Sequence, residues 1–246
     1  MVEFSNAELR GSRFDNVDLS GARFHNVDLT GAMIRGALLN DVDISGEIAD
    51  LRVNGVDVVP LVEAELNRRH PERAKLFATD ADGFREAWAV IERSWPPTVE
   101  RARRLDPALL HERVDDEWSF VETLRHLVFA TDAWVRRAYL GVPDPYDPLD
   151  LPHTDMEEHP TVPNDPDARP TLDVVLALRA DRMAGVGAVL AQLSDEQLAE
   201  TTEPVHAPGY PPPDHYPVRR CLQAVLIEEW EHRLYAERDL AVLERR

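Results

Sequence analysis

Between Val2 and Gly46 the apolar side chains recur every five positions, a spacing that fits neither the helical period of about 3.6 nor the strand period of about 2. The central positions are Phe4, Leu9, Phe14, Leu19, Phe24, Leu29, Ile34, Leu39 and Ile44. Each follows by two a small or β-branched residue such as Val2, Ala7, Ser12 or Val17, often with Asp or Asn between, as in Val17-Asp18-Leu19-Ser20-Gly21. Nine consecutive matches define a repeat array. Asn54-Gly55, flanked by Leu51-Arg52-Val53 and Val56-Asp57-Val58, is a strong two-residue hairpin signal that would close the array. Pro60 then opens a helical pattern, Leu61-Val62-Glu63-Ala64-Glu65-Leu66, expected to join the array to a second segment.

From residue 80 onward the period is helical, without a convincing strand. Asp80 and Asp82 are candidate caps for a helix through Phe84, Ala87, Trp88, Val90 and Ile91, which Pro96-Pro97 should interrupt before it resumes to about Leu105. A second helix is expected from about Glu117 to Leu140, with Val121, Leu124, Val128, Thr131, Val135 and Ala138 as its apolar stripe and Gly141 at its end. A third should span about Leu172 to Leu193, and a fourth should run from Pro217 to near the C-terminus. Four helices of about 20 residues predict a bundle. Residues 141–170 hold eight prolines and residues 203–217 hold six, so both read as loops, and loops of this length often cover sites.

The five-residue array resembles the pentapeptide repeats. That resemblance implies a right-handed quadrilateral β-helix, one repeat per side and four per coil, so that nine repeats give little more than two coils. At the ~4.8 Å spacing of strands, so short a solenoid buries one thin ladder of Phe and Leu and leaves both ends open. It should therefore lean on a neighbour or associate with a second copy as a homodimer. The expected organisation is a β-helix with its terminal hairpin over residues 1–58, a connecting helix over 59–79 and a helical bundle over 80–246. The fold class is mainly α with a small all-β part.

Charge narrows the partners. The 246 residues carry a formal charge of −19, which opposes binding to nucleic acid or an anionic membrane, both polyanions. Residues 1–46 hold seven acidic and four basic side chains, a net of −3 that leaves −16 on the remainder. With about 10 Å of stack from two coils, the array is a poor mimic of a DNA duplex. The single Cys221 cannot close an internal disulfide, and Met1-Val2-Glu3-Phe4-Ser5 lacks the basic and apolar regions of a signal peptide. No apolar run approaches the ~18 residues of a membrane span. A cytoplasmic protein is expected.

The candidate chemistry lies on the last helix. Val218, Cys221, Leu222, Val225, His232, Ala236, Leu240 and Leu243 share one face, with Glu228 and Glu229 close on either side. Ions turned inward need a partner, and a metal is the simplest one for a carboxylate and an imidazole one helical turn apart. The second helix contributes Trp118-Ser119-Phe120-Val121-Glu122-Thr123-Leu124-Arg125-His126-Leu127. With the phrase running from Val218-Arg219-Arg220 through Glu228-Glu229-Trp230-Glu231-His232-Arg233, this resembles the DinB-like superfamily of four-helix bundles. Carried over by position, the resemblance implies metal ligands at His126, Glu228 and His232. The first member of the last-helix pair is usually His, and here it is Glu, as in the related mycothiol-dependent maleylpyruvate isomerases. His126 lies away from the centre of its helix's apolar stripe, so a metal that it faced would have to sit at a groove between helices rather than in the middle of the core. Glu229 competes with Glu228, since Glu229 and His232 have the i, i+3 spacing of di-iron bundles, but the second helix offers Glu122 four residues before His126 instead.

Two imidazoles and one carboxylate leave coordination positions open, the pattern of a catalytic site. The donors suit zinc first, with nickel, iron and manganese also compatible. The expected function is a metal-dependent transferase or isomerase acting on a small-molecule substrate through a low-molecular-weight thiol, for which the resemblance suggests mycothiol. The alternative is an interaction or structural protein that uses its repeats for protein binding or self-association. His153, His159, His206 and His215 in the proline-rich loops are weaker candidates for a further ligand or a proton shuttle. Cys221 reads as a space-filling residue, and Arg219, Arg220 and Arg238 as anion-binding or ion-pairing groups.

Overall fold

In the computed structural model, residues 2–154, 156 and 159–246 are described, so Asp155, Glu157 and Glu158 of the first proline-rich loop lie outside them, as does Met1. The chain divides into two compact units, Met1–Ser45 and Gly46–Arg246.

In the first unit the five-residue period is written into the backbone. Asn6, Gly11, Asn16, Gly21, Asn26, Gly31, Gly36 and Asp41 all have φ between 49° and 75°. Each stands two residues after a central apolar position, where a left-handed turn needs glycine or a short polar residue. Asp18 and Asp28 brace two turns by accepting from the amides of Ser20 and Thr30 at 2.9 and 2.8 Å. The backbone bonds between described residues here are the short turn bonds Ser12 to Leu9, Ala22 to Leu19 and Ala32 to Leu29. No bond between successive coils, and so no stacked β-helix of the kind the repeat resemblance implied, is seen among the described residues of this unit. The Phe and Leu ladder is accordingly open, with Phe4, Phe14 and Phe24 between 60% and 64% exposed, against the expectation that it would be buried. Without stacked coils these side chains have no neighbouring layer to cover them.

The second unit begins with the hairpin, strands β1 (Arg52–Val53) and β2 (Val56–Asp57) pairing antiparallel around Asn54-Gly55. Helix α1 (Val59–Arg69) follows, with Pro60 in its first turn, where a missing N–H is harmless. Helices α2 (Ala81–Ala102), α3 (Phe120–Thr131), α4 (Leu172–Gln192) and α6 (Val218–Leu243) build the bundle, and α5 (Asp195–Leu198) is a single turn. α2 and α3 sit diagonally, each packing on both α4 and α6.

Two expectations need correction. α2 is not interrupted at Pro96-Pro97 but runs through both prolines to Ala102. Both prolines lie on its exposed face, where released carbonyls meet water, while Trp95, Thr98 and Ala102 anchor the buried face on either side. The second helix starts at Phe120 rather than near Glu117, because Ser119 and Glu122 close a capping box there. It continues beyond Thr131 as a π-helical stretch, Asp132–Tyr139, and Gly141 follows with φ 72°. All twelve residues of α3 are buried, since α4, α6 and the loops enclose it. The apolar core joins Phe84, Trp88, Leu124, Leu127, Val225 and Leu240 among others.

Candidate metal centre

His126 comes from the middle of α3, and Glu228 and His232 stand one turn apart on α6, which packs against it. Glu228 Oε2 lies 3.0 Å from His232 Nε2 and 3.3 Å from His126 Nε2. One donor atom from each of the three lies within 4.8 Å of the others, and no other such group of three occurs among the described residues.

The hydrogen bonds around His126 fix its chemistry. The residue is 5% exposed, and Nδ1 lies 2.9 Å from the carbonyl oxygen of Leu151. A carbonyl only accepts, so Nδ1 carries the hydrogen and a neutral ring turns its Nε2 lone pair to Glu228. Two acceptors then face each other at 3.3 Å. Protonating the ring would relieve this, but burial above all lowers the His126 pKa and works against the imidazolium. Burial also pushes the Glu228 carboxyl upward. The bonds and charges that the two histidines offer in their protonated forms outweigh that push and hold it below the ordinary range, and a cation in the same place would keep the carboxylate ionised for the same reason.

A divalent cation resolves the conflict. Zinc bonds of about 2.0–2.2 Å at angles of about 90–110° set neighbouring donor atoms roughly 2.8–3.6 Å apart, a range that holds both contacts. The donor types and both Glu228 contacts therefore fit such an ion, with all three donor atoms within 4.8 Å of one another. Trp118 lies over both imidazoles, 4.4 Å from the His126 ring and 5.6 Å from that of His232, and Tyr235 meets His232 edge-on at 5.8 Å. The Glu228 side chain keeps 35% of its exposure and that of His232 17%, so the cluster is reached from their side.

Glu229, the competing carboxylate, points elsewhere. It is 1% exposed and pairs with Arg179, whose guanidinium stacks 4.2 Å from the Trp95 ring. Glu122 is taken by the Ser119 cap and by Arg113 at 2.7 Å. Neither is left to build a second metal position. His153, His159 and His206 line a separate cavity of about 460 Å³ between the proline-rich loops. His215 bonds the Thr202 carbonyl at 3.0 Å. Cys221 is fully buried, and burial pushes its thiol up to about 11, leaving it neutral and unreactive. Arg219 donates to the Thr79 carbonyl, Arg220 lies against Trp134 and Tyr216, and Arg238 pairs with Asp239 beside Tyr235.

Sequence reasoning missed the Leu151 carbonyl, which reaches His126 across 25 positions and carries no side-chain signature. Trp118 stands in the Trp-Ser phrase that opens the helix, but its place against the two imidazoles follows from tertiary packing.

Fold and geometry together define a four-helix protein with a His-Glu-His cluster between two of its helices. The chain belongs to the DinB superfamily, whose family model matches residues 91–236. Pentapeptide repeats match residues 3–41 in eight copies. No curated protein and no solved structure matches the chain.

Proposed function

We propose that His126, Glu228 and His232 hold a divalent metal, zinc foremost, and that the protein is a metal-dependent enzyme. The observation that carries this reading is the approach of the His126 lone pair to the ionised Glu228 carboxylate at 3.3 Å, unfavourable unless a cation lies between them. Membership of the DinB superfamily supports it.

The bound metal would supply Lewis acidity, lowering the pKa of a thiol or water that reaches it. The chain's own groups do the rest. Glu228 offsets part of the cation's charge, and the Leu151 carbonyl keeps His126 in the tautomer that presents Nε2. Trp118 shields both rings from water on one side, leaving approach from the side of Tyr235. A small thiol of the mycothiol type, held for transfer to or isomerisation of an electrophilic substrate, is the chemistry we assign to that opening. Cobalt-substituted protein tests it by absorption. Adding a small thiol should produce a sulfur-to-metal charge-transfer band, whereas an unchanged spectrum from fully loaded protein would rule out the thiol and leave the metal site standing.

A second reading rests on the first unit. Its open ladder of Phe4, Phe14 and Phe24 fits a β-helix completed by stacking on another copy of the repeats, a structural or self-associating role compatible with the enzyme reading.

A further inference from the structure

Residues 149–151 of the first proline-rich loop lie along α3, and two consecutive helix residues grip them. Arg125 Nε donates to the Leu149 carbonyl at 2.8 Å, and His126 Nδ1 to the Leu151 carbonyl at 2.9 Å. Leu149 stands in a turn and Leu151 just beyond it, and their two carbonyls meet neighbouring side chains of one helix turn. The same guanidinium reaches the far end of the loop, donating to Asp165 at 2.7 Å and Ala168 at 3.5 Å. Arg125 is fully buried, and each of these hydrogen bonds ends on a main-chain oxygen. A buried guanidinium is a demanding way to anchor a loop, but its planar fork fixes several carbonyls in one register. Asp147 shapes the preceding turn, accepting from the Leu149 amide at 2.9 Å through its side chain and from the Asp150 amide at 2.9 Å through its carbonyl.

The fixed register matters because His126 can present Nε2 to Glu228 only while the Leu151 carbonyl holds Nδ1–H. We infer that Arg125 is a positioning residue for the His126 ligand, acting through the strap 149–151. The inference rests on the metal reading, but its structural half concerns the ring alone.

Arg137 is the matched control. It is also buried and donates to loop carbonyls, those of Pro143, Val205, Ala207 and Pro211, and the His126 ring bonds to none of these four. The test compares Arg125→Met with Arg137→Met in the full chain by two readouts. One is the ¹⁵N shifts of His126 in metal-free protein, which report the tautomer. The other is zinc affinity by chelator competition. Arg125→Met should mix the tautomers and weaken zinc binding about 10–100-fold, the usual effect of losing a group that orients a ligand. Arg137→Met should lower the melting temperature while leaving the tautomer and the affinity, within about threefold, unchanged. Arg125→Lys, which keeps one donor for Leu149, should fall between and serves if the methionine variant does not fold. An unchanged His126 tautomer in either Arg125 variant overturns the inference, as does an affinity loss shared equally with Arg137→Met. If wild-type protein binds no zinc, the metal reading fails and the tautomer measurement still decides the role of Arg125.

Discussion

Arg179 and Glu229 face each other in the bundle interior with almost no solvent. Removing one leaves the other's desolvation unanswered, so Arg179→Met should destabilise the protein by about 3–5 kcal/mol. Adding Glu229→Gln should recover much of that in denaturant unfolding, and a double variant no better than the single would contradict the pairing. Asp150 poses a different problem. It is fully buried, with no hydrogen-bond partner for either carboxylate oxygen, and burial first, then the charge of Asp132, push it up to about 9. Unfolded, it titrates near 3.8, so the folded chain holds a proton that the unfolded chain releases between those values. Its contribution is therefore fully present below about pH 4 and is lost as pH rises towards about 9. Asp150→Asn, which keeps the shape of the neutral acid, should flatten this slope, with its melting temperature gaining on wild type between about pH 5 and pH 8.5. A variant that instead melts lower at every pH would mean an ionised, compensated carboxylate.

At the scale of elements, α2 and α3 show where local rules held and where packing overrode them. The capping box at Ser119 and Glu122 shortened the expected helix, and Ser119→Ala should cost about 1 kcal/mol by releasing the first-turn amides. Pro97 sits exposed inside α2 without an amide hydrogen to give, so Pro97→Ala should raise stability by on the order of 1–3 kcal/mol in thermal or denaturant unfolding. No gain would mean that the proline has a packing role. The pairing of Glu228 with His232 was legible because a spacing of four on one helix is a local property. His126 was legible through resemblance and position, but its Leu151 partner depends on how a 30-residue loop closes, which no period encodes. Arg125 and Arg137 were invisible for a related reason. Arginine in a sequence reads as surface, and only the loop carbonyls that converge on these two make their burial affordable.

For the molecule as a whole, the helical unit carries its own core and the whole cluster, while the repeat unit keeps its apolar ladder exposed. Deleting residues 1–45 should therefore leave a folded, metal-binding bundle with altered self-association, read by sedimentation and by zinc titration. Loss of the bundle's cooperative melting would show instead that the two units fold together. The repeat period was plain in the sequence and recurs in the left-handed residues from Asn6 to Asp41, whereas coil stacking, expected from the resemblance, is a long-range property and is not seen among the described residues. No helix among the described residues is long and apolar enough to cross a membrane. The account turns on whether a cation sits among His126, Glu228 and His232, and the most direct measurement is elemental analysis of untagged protein purified without chelator and then loaded with zinc. It should contain about one metal per chain, and His126→Ala and His232→Ala should lose it. Wild-type protein that takes up no stoichiometric metal, or variants that retain it in full, would contradict the account.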